Sequence, residues 1–503
     1  MTARSLTEGL SAARSQVTSR VDTATMAVAL MSGAWALLMG GLSVARHRAF
    51  FTGRFDLGNM TQAVWSTAQG RPLETTDAAT GEQFVRLGAH VDPILVVFTP
   101  LYWVWPSPEM LLVAQAIIVA LGAFPAFWLG RRWLGDDRLA VAAAAVYLLY
   151  PPLAWATLTE FHPVTLAAPL LLFAIWAAEV RRYGLLALAS LAALLTKEQV
   201  GLALAVLGLW MVVRGARRAG AVLAGVSAAW VAIGVWLIIP RFNSAGESAF
   251  IGRYEALGDS PGGVVSGLVL RPWDAAEVAA TPDRGGYLLA LLLPLALLPL
   301  AAPLLAAAAV PEILLNVLSN WWPQYSIEFQ YVAVIAPFLI AASILGLARL
   351  RRARRPEVLV RAMERPVPLA AGVVAWVALS GVVLGPLPWW SAVPLGSDNR
   401  SQEYSATAHT DAQRAGLAMI PDHVPVSAGN RFGAHLSERR RIHTFPVVAD
   451  AEWVIVDATA PFIADRPDPR VHRARLGALR RNPAFTTVFQ RDGVVVLRRS
   501  AAP

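Results

Sequence analysis

The sequence predicts an α-helical polytopic membrane protein of about eleven spans, followed by a small α/β domain outside the membrane. Three observations carry this. Of the 503 residues, 56% are hydrophobic and only 15% are charged, and the mean hydropathy is +0.50. Runs such as Met26–Val44, Leu111–Leu129, Leu139–Leu149, Ala221–Ile239 and Val332–Leu347 contain no Asp, Glu, Lys or Arg. Several are long enough to cross a hydrocarbon core of roughly 30 Å at about 1.5 Å per residue. Finally, arginine-rich turns separate the apolar runs on one side only, as the positive-inside rule requires of cytoplasmic loops.

Taken in order, the chain opens with a polar segment, 1–22, bearing Arg4, Arg14 and Arg20, which reads as a cytoplasmic tail. The apolar run after it is too long for a signal-peptide core and is followed by further spans, so it reads as a retained helix. Expected crossings lie at 24–44, 109–130, 138–157, 163–180, 184–196, 200–213, 219–239, 287–300, 302–318, 329–348 and 367–387. Together they form a membrane domain over 23–390 with a long first external loop, 45–108. The cytoplasmic turns then carry Arg131-Arg132, Arg181-Arg182, Arg214/Arg217/Arg218 and Arg349/Arg351/Arg352/Arg354/Arg355. Parity agrees with this count. The polar loop 241–286 falls outside and the Arg349–Arg355 cluster inside, so three crossings separate them, two of them short and broken at Pro299 and Pro303.

Composition turns polar in the tail, 396–503. Strand-like runs Val424–Ala428 and Trp453–Val456, helix-like stretches near 403–420 and 469–481, and a hairpin of Phe485–Gln490 and Val494–Arg499 about Asp492-Gly493 read as a small α/β domain. An odd number of spans places it outside the cell membrane. The net charge of +9 reads as topology signal and attraction to the lipid bilayer, not as a nucleic-acid footprint. With no cysteine, disulfides, thiolate metal sites and cysteine nucleophiles are excluded. No phosphate-cradling P-loop, G-x-S-x-G or H-E-x-x-H motif occurs.

The ionisable residues that stand out gather on the outer side. Asp56 opens a helical pattern and reads either as its N-cap or as a catalytic carboxylate. His90 and Asp92 read as loop caps or as ligands of a metal. Glu160 and His162 occupy an outer turn, and Lys197 and Glu198 the outer end of the fifth span. Each pair reads either as plain interfacial polarity or as a site, since ionisable groups at membrane depth are costly unless they face a cavity or a partner. The loop 241–286 adds Arg241, Arg253 and Arg271, and the turn after span nine adds Gln324, Tyr325, Glu328, Gln330 and Tyr331. Tryptophans 103, 105, 321, 322, 389 and 390 read as an interfacial belt.

Phe55-Asp56-Leu57-Gly58 with Gln62 and Trp65, His90-Val91-Asp92-Pro93, Glu160-Phe161-His162-Pro163, Lys197-Glu198, Pro311–Asn316 and His435–Arg439 resemble, in that order, the membrane family DUF2079. The resemblance runs from about residue 50 to about 460. That family is similar to the GT-C class of glycosyltransferases, which use polyprenyl-phosphate sugars at the outer leaflet. The resemblance implies a GT-C-like fold and an enzyme moving a sugar from a polyprenyl-phosphate donor to an extracytoplasmic glycan, lipid or protein acceptor. It matches Asp56 to the class's essential acid in the first external loop, although Asp56 lacks the paired second acid of several members. In this reading Lys197 with Arg241, Arg253 or Arg271 holds the lipid phosphate, and Glu160, His162 and Glu198 bind the sugar or a divalent cation (Mg or Mn), supplemented by His90 or Asp92. Two other readings are a transporter or flippase of a lipid-linked or polar solute, and a non-catalytic envelope scaffold.

Overall fold

The computed structural model describes residues 22–243, 250–353, 365–397, 401–459 and 469–500. All of the expected tail 1–22 but Asp22, and Arg354-Arg355, lie outside them. Among the described residues, four helices are long and apolar enough to cross a membrane: Thr23–Arg48, Pro108–Leu134, Arg217–Phe242 and Pro366–Leu384. A fifth forms if the pair Asp137–Leu149 and Pro151–Leu158, bent by 45°, counts as one span. The bend falls where Pro151 and Pro152 remove backbone donors. The remaining expected crossings appear as shorter apolar helices, among them Pro163–Glu179, Tyr183–Leu194, Val200–Val213 and Pro303–Val317. The expected span 287–300 is broken. Its helix ends at Leu292, and Ala296 and Leu297 adopt left-handed backbone between two 3-10 turns.

Local chemistry sets the helix starts. The Asp22 carboxylate accepts from Thr25 N at 2.7 Å, and Asp136 accepts from Arg138 N and Leu139 N. Helices of 26 residues are about 39 Å long at about 1.5 Å per residue, and the first one defines two ends of the bundle. At its start Asp22 pairs with Arg131 at 2.7 Å. Arg132 and Arg214 share Glu179 there, and Arg351 and Arg352 donate to the Leu134 and Trp133 carbonyls. At its finish Arg46 pairs with Glu403 of the tail at 2.8 Å and donates to the Leu158 carbonyl. One end is therefore the arginine end, and the other carries the first loop and the tail.

The first loop is a folded unit. Arg54–Gly58 form a π-helical turn that runs into the helix Asn59–Ala68. Strands β1 (Glu74–Thr76) and β2 (Gln83–Val85) then pair antiparallel. This hairpin is not evident from the sequence because each strand has three residues. The tail holds β3 (Val426–Ala428), β4 (Ile442–Thr444), β5 (Trp453–Asp457), β6 (Phe485–Arg491) and β7 (Val494–Arg499) in the order β4-β3-β5-β7-β6. The expected hairpin is β6–β7, and its turn residues Asp492 and Gly493 have φ of 46° and 79°, the signature of a type I′ turn. Strand β4 escapes the sequence because three residues beside Arg439-Arg440-Arg441 give no pattern.

The tail docks on the first loop through polar contacts. Gln62 donates to the Arg439 and Arg440 carbonyls at 3.0 Å each, Arg431 donates to the Phe50 carbonyl at 2.7 Å, and Tyr102 hydrogen-bonds Glu438. Gly433 lets the two segments touch. A Cβ there would lie 2.2 Å from the Arg54 Cβ. Gly433→Val should therefore lower stability by about 1–3 kcal/mol, the usual cost of overpacking, read as a drop in melting temperature of the detergent-purified protein. Gly41→Ala, whose Cβ would meet nothing within 4 Å, should leave it unchanged.

Candidate functional site

The site is built on a turn of the helix bundle, Thr159–Pro163, that reaches up to the first loop. Glu160 adopts φ of 66°, a left-handed conformation costing a non-glycine residue about 1–3 kcal/mol. Two interactions hold it there. Gln115, the one amide in the apolar run Leu111–Leu129, donates to the carbonyls of Thr157 and Glu160 at 3.0 and 2.7 Å. Its oxygen accepts from His162 N at 2.9 Å. The Glu160 carboxylate in turn accepts from Gly53 N and Leu57 N, all at 3.0 Å. Asn430 Oδ1, from the tail, accepts from Arg54 N and Phe55 N at 2.7 and 3.1 Å.

These contacts correct one expectation. Asp56 does not cap the helix, because the free N–H groups at its start are already satisfied by Glu160 and Asn430. The Asp56 side chain is left 45% exposed, with Oδ1 3.1 Å from Nε2 of His162, itself only 5% exposed. Burial works against the charge of Asp56, but His162, Arg86 and Arg253 prevail and hold its carboxyl below the usual carboxylate range. Glu160 goes the other way. Burial, and then the charge of Asp56, push it up to about 8 against the pull of the Gly53 and Leu57 N–H groups and Arg46. Neighbouring carboxylates with opposed shifts are the pattern of an acid–base site.

The expected cations divide. Lys197 projects its ammonium to 5.8 Å from the Tyr331 ring centroid, and no carboxylate of the described residues lies within 4 Å of it. Arg253 donates to the Gln324 side-chain oxygen at 3.0 Å and to the Tyr331 hydroxyl at 3.3 Å. Tyr331 thus joins the two cations. Arg241 is exposed, stacked over Phe242 at 6.0 Å. Arg271 is engaged with the Leu257 carbonyl at 2.6 Å and Asp274 at 3.1 Å, so it does not join the cluster.

The expected acids are mostly held by protein groups. Both Asp92 oxygens bond Arg86, the closest at 2.7 Å, and that pair is buried. Glu198 accepts from Val91 N at 2.9 Å and lies 3.2 Å from His90 Nδ1. His90 stacks on Phe250 at 4.6 Å; burial and Lys197 push its imidazole down to about 4. Protein donors therefore hold Asp92, Glu160 and Glu198, which the sequence offered to a sugar or a cation. Among the described residues no three His, Cys, Asp or Glu side chains converge on a metal position. The donor set does not fit a divalent cation.

Several residues that shape the site escape sequence reading. Asn430 and Arg46 act on partners far away in the chain, and nothing local announces them; Arg86 meets Asp92 six residues on, a spacing with no helical or strand pattern to mark it. Gln115 had a signal, since a lone amide in a membrane run needs a partner. Glu312 is buried and accepts from Gln199 at 2.7 Å.

The raised Glu160 carboxyl has a consequence for stability. Its folded form binds a proton more readily than an ordinary glutamate, so it contributes stability below about pH 4.5 that is lost as pH rises through about 8. Glu160→Gln should flatten that slope in a melting-temperature series from pH 5 to about pH 9. An unchanged slope would place the titrating group elsewhere.

The family model for predicted membrane proteins called DUF2079 matches residues 46–496. No curated protein matches the chain. Among solved structures, ArnT from Cupriavidus metallidurans in the apo state is similar at 15% identity and TM-score 0.51, over 94% of this chain and 98% of that one. The same protein bound to undecaprenyl phosphate gives 14% identity and TM-score 0.49, with the same coverage. The archaeal oligosaccharyltransferase AglB from Archaeoglobus fulgidus, in complex with an inhibitory peptide and a dolichol-phosphate, gives 10% identity and TM-score 0.42, over 84% of this chain and 69% of that one. The likeness to apo ArnT shows the GT-C-like fold. With most of its length inside the family model, from the end of the first helix to the last strand of the tail, the chain belongs to the DUF2079 family of predicted membrane proteins.

Proposed function

We propose that this protein is a glycosyltransferase that moves a sugar from a polyprenyl-phosphate donor to an acceptor hydroxyl on the outer side of the cell membrane. The arginine end faces the cytoplasm, by the positive-inside rule, and the first loop and tail face out. One observation carries the reading. Asp56 is half-exposed beside a buried histidine, within the field of Arg86 and Arg253, and among the described residues its carboxylate makes no ion pair but the one with His162. A carboxylate relieved of capping and kept ionised is suited to take a proton. The GT-C-like fold shared with apo ArnT is consistent with this reading.

In this mechanism the acceptor oxygen attacks the anomeric carbon of the donor. A new carbon–oxygen bond forms as the bond from that carbon to the phosphate oxygen breaks, and the electron pair leaves on polyprenyl phosphate. The acceptor proton passes to the Asp56 carboxylate, which His162 orients. Lys197 and Arg253, linked through Tyr331, take up the growing phosphate charge. Such donors act best where water is excluded, because the same charges interact more strongly at low dielectric. Cationic side chains therefore do the work that a divalent cation would do elsewhere.

Asp56→Asn should cut transfer from a radiolabelled polyprenyl-phosphate sugar by about 10²–10⁴-fold while leaving the melting temperature unchanged. In a deletion strain it should fail to restore any glycoform that the wild-type gene restores. Full turnover in this variant would overturn the catalytic role. Lys197→Ala should weaken donor use, and turnover should persist in excess EDTA. Loss of activity on chelation, with recovery on adding magnesium or manganese, would instead return the acids to a metal.

A further inference from the structure

At the arginine end, two adjoining cavities are unrelated to the site above. The first is an apolar groove of about 580 Å³ between the last membrane helix, Pro366–Leu384, and the helices Asp137–Leu149 and Ala336–Arg352. Its walls include Val146, Ile344, Leu347, Gly372 and Trp376. The second is a polar pocket of about 300 Å³ lined by Arg132, Trp133, Gly135, Arg351 and Arg352. Leu134 lines both, and Leu347 of the groove adjoins Ala348 of the pocket.

Among the described residues, charge around the pocket is unbalanced. Arg131 takes the carboxylates of Asp22 and Asp137. Glu179 lies 3.2 Å from Arg214 but 3.9 Å from Arg132, whose side chain is 60% exposed. Arg352 donates only to the Trp133 carbonyl among the described residues. A guanidinium is planar, always charged and shaped for bidentate contact with phosphate. An apolar trough against a membrane helix, with arginines at its mouth, has the two chemistries of a phospholipid in one piece. Basic pockets between membrane helices recognise anionic headgroups in this way, and the volume lies within the roughly 300–1,000 Å³ of ligand sites.

We infer that the groove and pocket together bind one anionic phospholipid of the leaflet at the arginine end, its phosphate on Arg132 and Arg352 and an acyl chain along Pro366–Leu384. The lipid would seat the last membrane helix, only one of whose residues, Val377, is buried by protein. The inference does not depend on glycosyl transfer.

The test uses the full-length protein in mild detergent, with native mass spectrometry and melting curves in phosphatidylglycerol, phosphatidylcholine or inorganic phosphate. Wild type should retain phosphatidylglycerol over phosphatidylcholine by roughly tenfold, from the attraction of a few interfacial arginines. It should melt higher in phosphatidylglycerol and gain nothing from inorganic phosphate. R132Q/R352Q should lose the preference. Gly372→Phe should lose the bound lipid by filling the groove, and its Cβ would meet nothing within 4 Å. Equal retention of the two lipids, an undiminished adduct in G372F, or an equal melting shift with inorganic phosphate would each overturn the inference. If R132Q/R352Q fails to fold, G372F alone decides.

Discussion

The Glu160 carboxylate, bonded to the backbone N–H groups of Gly53 and Leu57, is the contact on which the outer half of this molecule depends. Those donors begin a helix and are buried, and each would cost about 1–3 kcal/mol if left unsatisfied. Serving them requires a side chain aimed upward from the bundle, and this is what the left-handed backbone at Glu160 provides. The strain is offset by Gln115, which clamps the turn from a neighbouring helix. The helix bundle thereby dictates the position of a loop that would otherwise be free to drift.

From that contact the rest of the site follows. With Glu160 and Asn430 satisfying the start of the helix, Asp56 is released to face His162. Asn430 belongs to the tail, so the tail completes the same helix start that the bundle holds from below. Gly433 sits against Arg54, and Gln62 reaches the carbonyls of Arg439 and Arg440. Loop, bundle and tail meet at the helix that presents Asp56. The tail is thus part of the construction of the site.

The two ends of the bundle use their charges differently. At the outer end acids and bases are mostly paired within the protein, as in Arg86 with Asp92 and His90 with Glu198, while no carboxylate of the described residues comes within 4 Å of the Lys197 ammonium. At the arginine end the guanidinium groups of the described residues outnumber the acids near them, and those of Arg351 and Arg352 rest on helix carbonyls, where positive charge is favoured by the helix dipole. Pairing narrows a set of ionisable groups to a few with unmet capacity, and those few are where ligands are expected to bind.

Much of the architecture is legible in the sequence alone. Apolar runs of membrane length, one-sided arginines and the Asp-Gly turn of β6–β7 are local patterns, because burial, topology and turn geometry each act over a few residues. The chain also displayed the ionisable residues of the site, Asp56, His162 and Lys197 among them. Tertiary structure alone decided which of them are occupied. Asp92 and Asp56 look alike in sequence, yet one is consumed by Arg86 and the other relieved by partners about 100 and 375 residues away. Short strands such as β1, β2 and β4, and the break at Ala296–Leu297, were equally hidden. A three-residue strand exists only through its neighbour, and whether a buried carboxylate is free depends on the total of its donors, which the chain assembles only on folding.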